Sequence, residues 1–338
     1  MPVRNAEQWL VGSLSSVLRQ TFSLPLELSV YNDASTDDTR SVLQSFRSQF
    51  ESRGVKWTCS SATDQPGGVG FAKNRAVQQS CGRYLCFLDA DDFMSPERIS
   101  VQYEAASKLP DLTLVGCGFE RSPADSTVRY TKWANSLTCS QLYSQRFTSH
   151  GPTLIAPTWF CSRTLYDYVG PFQEICQGFP EDLDFFFRAV RLGCCLKRID
   201  RVLVTYNYHL NCTSFGVPEQ AIWEMRLKEL ESSVLDQLTE FSLAGGRQAR
   251  RLFNCLCDRN QAKVKCICDV SPKSLQLGFY QHYDQRTRKV GLKVPVRRYD
   301  QATLPVIVCV KLDLTEGELE RNLEKMKWRE GIDFYHFG

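Results

Sequence analysis

The sequence predicts an α/β protein built on a sheet with helices on both faces. Two observations predict it. Short apolar runs of strand character alternate with stretches of helical periodicity, the pattern of parallel strands joined by crossover helices. Polar clusters at Asn32-Asp33, Pro66-Gly67-Gly68-Val69-Gly70 and Asp89-Ala90-Asp91-Asp92 fall at or beyond the predicted strand ends. Ligands of such sheets bind beyond the carboxyl ends of the strands, so the three clusters point to one functional edge.

The elements follow in order. Leu10, Leu14, Val17 and Leu18 recur at helical spacing after Asn5, a candidate N-cap with Gln8 three residues on. Leu26 to Tyr31 reads as a strand. Ser35 and Asp38 read as a capping-box pair opening a helix that carries Val42, Leu43, Phe46 and Phe50 on one face. A strand at Val55 to Cys59, the glycine loop, a helix through Ala72 to Gln79 and a strand at Tyr84 to Leu88 complete the alternation. Glu219 to Leu238 reads as a charged helical connector. A second alternation then runs through a strand at Phe241 to Ala244, the turn Gly245-Gly246 and a helix with Leu252 and Leu256. Strands at Val264 to Cys268 and Pro305 to Val310 follow, with a last helix from about Glu316 to Trp328. The expected organisation is a first domain over 1–216, a connector over 217–240 and a smaller Rossmann-like domain over 241–338.

Composition narrows the function. The 338 residues carry 41 basic and 38 acidic side chains, a net charge of +3, too small and dispersed to make nucleic acid or an anionic membrane the main partner. No window has the apolar length of a transmembrane segment, and Met1-Pro2-Val3-Arg4-Asn5 lacks the apolar core of a signal peptide. A cytoplasmic protein is expected, its 15 cysteines reduced and mostly buried. Cys255/Cys257 and Cys266/Cys268 lack the usual zinc spacing and read as core thiols.

Asp89, Asp91 and Asp92 crowd the mouth of an apolar strand. Crowded carboxylates raise each other's pKa unless a cation joins them, and Mg²⁺ or Mn²⁺ holding a phosphate is the usual remedy. An acidic turn capping the next helix accounts for one of them, not three.

Taken together the motifs resemble inverting glycosyltransferases of family 2, with the GT-A fold. Asn32-Asp33-Ala34-Ser35-Thr36-Asp37-Asp38-Thr39 resembles that family's nucleotide turn, and Gly70-Phe71-Ala72-Lys73-Asn74-Arg75-Ala76 its following helix. Asp89-Ala90-Asp91-Asp92 resembles its DxD motif, Pro180-Glu181-Asp182-Leu183-Asp184 its acceptor-side motif, and Tyr206-Asn207-Tyr208-His209 its terminal Tyr-Arg-x-His element. The resemblance implies transfer of a sugar, GlcNAc being one option, from a UDP-sugar donor to a hydroxyl of a glycan, protein or small-molecule acceptor. It implies a divalent metal, Mn²⁺ or Mg²⁺, at Asp89, Asp91, Asp92 and His209. It makes Asp182 the general base and assigns substrate contacts to Asp33, Lys73, Asn74, Asp89 and Glu181; apart from the resemblance, the apolar Pro157-Thr158-Trp159-Phe160 favours a shaped acceptor pocket in which Trp159 is a candidate to stack on a sugar face. Plain alternatives stand beside several roles: an Asx turn for Asp33, a solvated side chain for Lys73, a helix-start carboxylate for Asp182, ordinary core for Trp159 and a satisfied loop histidine for His209.

The family's first strand would precede Pro2, and the sequence does not contain it, so a gap in the sheet is expected. Asn207 stands where Arg is expected. Both features motivate an alternative, a GT-A-shaped binding or scaffold protein without turnover. The C-terminal unit resembles a Rossmann nucleotide-binding unit with Asp269 placed like a ribose-binding acid. Ala244 and Ala249 stand where its glycines would be, which makes a structural, acceptor-binding or regulatory module the expectation and a dinucleotide oxidoreductase the lesser reading.

Overall fold

The computed structural model describes residues 1–62, 65–175, 178–284, 288–312, 315 and 317–338. The chain forms two compact units, one of Met1–Cys139 with Gly151–Ile222, the other of Ser140–His150 with Trp223–Gly338.

The first unit begins with β1 (Pro2–Val3), α1 (Glu7–Leu18), β2 (Glu27–Asn32), α2 (Thr39–Ser52), β3 (Lys56–Ser61) and α3 (Val69–Gln78). It continues through β4 (Tyr84–Cys86), β5 (Phe93–Met94), α4 (Arg98–Ala106), β6 (Thr113–Ser122) and α5 (Val128–Ser136). A short α6 (Gln141–Ser144) belongs to the second unit. The first unit then resumes with β7 (Phe160–Ser162), α7 (Arg163–Val169), α8 (Glu181–Arg191) and β8 (Cys195–Asn207).

Its strands form two sheets, a parallel one in the order β1-β2-β3 and a mixed one in the order β4-β7-β6-β8-β5. The second is organised by β6, whose residues Thr113 to Phe119 are all buried and which pairs parallel with β8. The division falls where the missing strand was expected. A cavity of about 310 Å³ lies there, lined on one side by Leu26 to Ser29 and on the other by Tyr84 to Leu88. Met1 to Val3 take part of that position, with Tyr31 N–H donating to Met1 O at 3.1 Å and Asp33 N–H to Val3 O at 2.8 Å.

The two predicted caps act differently from expectation. Neither Asn5 nor Ser35 caps its own helix; the helices start from Ala6 and Asp38 without a side-chain cap. Instead the two turns clasp each other. Thr36 N–H donates to Asn5 Oδ1 at 2.8 Å, Asn5 N–H to Ser35 Oγ at 2.9 Å, and Ala6 N–H to Thr39 Oγ1 at 2.8 Å. Local polar side chains offer the same oxygens to either partner, and the tertiary approach of the two turns decides which is taken.

The predicted connector over 217–240 is divided between the units, its residues from Trp223 onward belonging to the second. Its helix α9 (Glu219–Ser233) supplies Leu227 and Leu230 to the core, with Val234 and Leu235 just beyond. The sheet combines β9 (Phe241–Ala244), β10 (Val264–Cys268), β11 (Phe279–Asp284), β12 (Lys289–Arg297), β13 (Val306–Val308) and β14 (Phe334–His336) in the order β11-β12-β10-β9-β13-β14. All neighbours are parallel except β11 with β12. This doubly wound order keeps β9 central. Helices α10 (Gly246–Cys255), α11 (Asp258–Gln261), α12 (Pro272–Leu277) and α13 (Glu318–Met326) complete the unit; the predicted helix start at Glu316 lies outside the described residues. Asp269 is 7% exposed and committed to Arg250 Nη2 at 3.1 Å and Ser271 N–H at 3.0 Å. No disulfide joins the described cysteines. Cys266 and Cys268 are buried, but Cys255 and Cys257 are exposed, contrary to a core role, because the chain leaves helix α10 there.

One buried cation fixes the end of β4. Arg98, at the start of α4, is 0% exposed. Its Nη2 donates to Phe87 O at 2.8 Å and its Nε to Gln102 Oε1 at 2.9 Å. Arg98→Met should therefore leave two acceptors short of partners and cost about 3 kcal/mol in urea unfolding. A loss indistinguishable from zero would show that these bonds do not hold the strand end.

Candidate active site

Three pieces of the first unit build the site: the turn between β4 and β5, the first turn of α8, and the segment after β8. The turn carries Asp89, Asp91 and Asp92. Asp92 is 1% exposed; its Oδ1 accepts from Asn207 N–H at 2.9 Å, and its Oδ2 has no hydrogen-bond partner among the described residues. Burial, then Asp91 and Asp89, push its carboxyl well above the usual carboxylate range, against the pull of Asn207 N–H and Arg98. Asp91 is raised as well, by burial and then Asp89, while His209 opposes the shift.

His209 enters because β8 is 13 residues long and pairs with β5 as well as β6. Its Nε2 lies 2.9 Å from Asp91 Oδ2, and Asn211 N–H donates to Nδ1 at 3.2 Å, which leaves the Nε2 proton for Asp91. Trp9 of α1 stacks on the imidazole with centroids 4.0 Å apart and planes 11° apart. His209 is thus a positioned member of the acidic cluster.

Helix α8 puts Glu181, Asp182 and Asp184 in its first turn and Arg188 and Arg191 in its last, matching the helix dipole at both ends. Leu183, Phe185, Phe186 and Phe187 bury its inner side. Asp182 Oδ1 accepts from Leu183 N–H at 2.7 Å. Burial first, then Glu181, raises the Asp182 carboxyl to about 7, although Lys73 pulls it down.

Lys73 joins the two carboxylate groups. It is 4% exposed, with Nζ 2.8 Å from Glu181 Oε1. Burial alone would lower its pKa, but Glu181, Asp89 and Asp182 together hold it above the usual lysine range. Its charge belongs to these carboxylates, so the plain alternative of a solvated side chain does not hold.

The structure relocates other predicted contacts. Asp33 is 2% exposed, and its two oxygens accept from Gly67 N–H at 2.8 Å and Gly68 N–H at 2.9 Å. It locks the glycine loop, where Gly68 adopts φ +92° and a Cβ on Gly70 would come within 2.4 Å of Gln173 O. A nucleotide ring N–H would have to take a second lone pair on one of these oxygens. Asn74 is not available to substrate. Its Nδ2 donates to Phe172 O and Glu174 Oε1, and its Oδ1 accepts from Tyr166 Oη and Phe172 N–H, which uses all four of its bonds. Trp159 is core: it is 0% exposed, its Nε1 donates to Leu154 O at 2.7 Å, and Phe87, Phe172 and Phe185 pack around its ring. No face is left for a sugar.

Two further residues adjoin the site. Cys212 lies with Asp91 and His209 in a group whose ligating atoms are all within 4.8 Å of one another. Its spacing of three residues after His209 was the available sequence signal. Arg121 of β6 sits with its guanidinium 4.3 Å from the Tyr206 ring centre and 4.7 Å from that of Tyr208, its Nε and Nη1 buried and without a hydrogen-bond partner among the described residues. Only the pairing of β6 with β8, which sets Arg121 opposite Tyr206, brings it here.

The family model of glycosyl transferase family 2 matches residues 1–170. The chain belongs to glycosyl transferase family 2. It is 23% identical over 285 residues to the uncharacterized glycosyltransferase EpsJ of Bacillus subtilis, covering 82% of this chain and 80% of EpsJ. It is 36% identical over 103 residues to the Escherichia coli UDP-Glc:alpha-D-GlcNAc-diphosphoundecaprenol beta-1,3-glucosyltransferase WfgD, 30% of this chain and 37% of WfgD. Among solved structures, S. aureus TarS 1–349 in complex with UDP-GlcNAc superposes with a TM-score of 0.51 at 17% identity, over 68% of this chain and 65% of that one. These likenesses identify the fold as GT-A. No helix among the described residues is long and apolar enough to cross a membrane.

The raised pKa of Asp182 has a stability consequence. In the unfolded chain an aspartate ionises near ~4, so between that pH and about 7 the folded protein holds a proton that the unfolded chain has lost. This contribution to stability is present in acid and is lost as pH rises through the folded value. The melting temperature of Asp182→Asn should therefore gain on that of the wild type as pH rises from about 4 to about 7. A constant difference across the window would mean that Asp182 ionises normally.

Proposed function

We propose that the chain is an inverting hexosyltransferase acting in the cytoplasm, moving a sugar from a UDP-sugar to an acceptor hydroxyl with the help of a divalent metal. UDP-GlcNAc is the first donor to test. The observation that carries this reading is the opposition of two carboxylate groups across Lys73. On one side is the cluster of Asp89, Asp91, Asp92 and His209, deficient in positive charge; on the other is Asp182 with a pKa of about 7. The UDP donor is supported by the printed descriptions of WfgD and of the TarS complex, both of which name a UDP-sugar.

The cluster fits a divalent ion. It offers carboxylate oxygens and an imidazole nitrogen, and the buried Asp92 Oδ2 lacks a partner. Asp91 and His209 would hold the ion with Asp89 and Asp92 beside them. Such an ion supplies positive charge to the diphosphate as it departs. Mn²⁺ suits a nitrogen-containing donor set better than Mg²⁺.

Asp182 serves as general base. Its carboxylate removes the proton of the acceptor hydroxyl, the hydroxyl oxygen bonds to the anomeric carbon, and the bond from that carbon to the diphosphate breaks with UDP leaving from the opposite face. A base with a pKa near the working pH combines adequate ionisation with adequate strength. Glu181 and Lys73 hold its surroundings: Lys73 neutralises Glu181 and stabilises the charged form of Asp182.

The alternative is a GT-A-shaped binder without turnover, motivated by Asn207 in place of the expected arginine. Release of UDP from UDP-GlcNAc in a panel of acceptors, together with calorimetric UDP binding in Mn²⁺, decides between them. In the enzyme Asp182→Asn lowers turnover by roughly 10²–10⁴-fold and leaves UDP binding intact, whereas Asp91→Ala abolishes Mn²⁺-dependent UDP binding. UDP binding without turnover would establish the binder. Turnover that survives Asp182→Asn would remove the base from its role.

A further inference from the structure

We propose that Cys212 is a third protein ligand beside Asp91 and His209, giving a mixed oxygen, nitrogen and sulfur site that selects a thiophilic divalent ion over Mg²⁺. This rests on the metal role proposed above and goes beyond it in ligand set and metal class.

The turn after β8 folds the thiol back over the histidine. Cys212 N–H donates to His209 O at 3.0 Å, and His209 N–H donates to Cys212 Sγ at 3.3 Å. The sulfur is directed inward, 3.5 Å from Asn207 O, and the residue is 5% exposed. Its ligating atom and those of Asp91 and His209 all lie within 4.8 Å of one another. Metal–sulfur bonds of about 2.3 Å and metal–nitrogen or metal–oxygen bonds of about 2.0–2.1 Å set such donors roughly 3.3–3.7 Å apart. Small side-chain rotations therefore close the set around one ion.

A buried cysteine is usually an inert hydrophobe. Cys117, packed with Phe119 and Leu203, is of that kind here. Cys212 instead faces an imidazole, a carboxylate and a backbone carbonyl. The neighbouring Asp92, 1% exposed and tied to Asn207 N–H through Oδ1, has Oδ2 buried and without a partner among the described residues, an unmet demand for positive charge next to Asp91 in the chain. Trp9, stacked on His209, keeps the imidazole in the plane the cluster needs.

Hard cations such as Mg²⁺ prefer oxygen ligands, whereas a thiolate favours Co²⁺, Zn²⁺ or Cd²⁺ and is tolerated by Mn²⁺. The test titrates the full chain with Co²⁺ alone and follows thiolate-to-metal charge-transfer absorbance. The wild type should show the band. Cys212→Ser should lose it and weaken Co²⁺ binding by about tenfold or more. Asp91→Asn should lose the band too, while Cys117→Ser should keep it. Cys212→Asp should restore Mn²⁺ binding without the band. X-ray absorption on the Co²⁺-loaded wild type, which needs no variant, should find one sulfur neighbour. A band that persists in Cys212→Ser, or a Co²⁺ shell without sulfur, overturns the proposal. UDP binding in Mn²⁺, measured on the same samples, separates the two failures. If it is intact while sulfur is absent, only the Cys212 assignment falls; if neither metal nor UDP binds, the site reading falls with it.

Discussion

The site depends on an imbalance of buried charge. Asp89, Glu181 and Asp182 are gathered around Lys73, while Asp91 and Asp92 crowd against Asp89, with Arg98 as a further buried cation pulling on Asp92. Charges that would ignore one another in water interact strongly where solvent is excluded. The protein answers in two ways. Lys73 is kept charged beyond the ordinary lysine range, and Asp91, Asp92 and Asp182 are pushed toward the neutral form. Neither response removes the deficit of positive charge. A pocket left in this condition attracts cations and, on its own, repels a diphosphate. It accommodates one only when a cation enters with it.

The fold creates the imbalance from parts that are individually stable. The three aspartates follow a strand whose end is pinned by Arg98 through Phe87 O. Helix α8 favours carboxylates in its first turn through its own dipole, and its aromatic side packs against Trp159 and Phe172, so its start has little freedom. The close approach of α3, possible because Gly70 lacks a Cβ, brings Lys73 between the two acidic groups. Each element is satisfied locally, and the strain lies in what they jointly surround.

Much of this was legible in the sequence where chemistry is contiguous. The strand ending in Asp89, Asp91 and Asp92 announces itself, as do the acidic start of α8 and the order of motifs that marks the family. Sequence reading failed where identity and role part company. Asn74 occupies a motif position that suggests substrate, yet it spends every hydrogen bond on Tyr166 and the loop at Phe172, and Trp159, a candidate sugar platform with ordinary core as its alternative, is enclosed by phenylalanines. Burial is a tertiary property and leaves no trace in a short motif. The same holds for Asn5 and Ser35, which have the chemistry of helix caps but use it to join two turns. Arg121 and Trp9 reach the site through strand pairing and helix packing, from positions far from any motif.

A lysine suits position 73 better than an arginine would. An arginine offers a planar fork suited to two oxygens of one partner. Lys73 meets a different demand: it pairs directly with Glu181 while its field reaches Asp89 and Asp182. A compact ammonium serves several carboxylates from one point and fits beside the Phe172 ring, 5.4 Å from its centre. A planar cation near the site is instead Arg121, beside the rings of Tyr206 and Tyr208, its Nε and Nη1 without a hydrogen-bond partner among the described residues. In register it lies beside Asn207, the position where the family resemblance expects arginine: Arg121 pairs with Tyr206, and Ser122 with Asn207. The chain therefore keeps a guanidinium at this end of the sheet, carried by the neighbouring strand, and the loss of charge at Asn207 does not leave that edge without a cation.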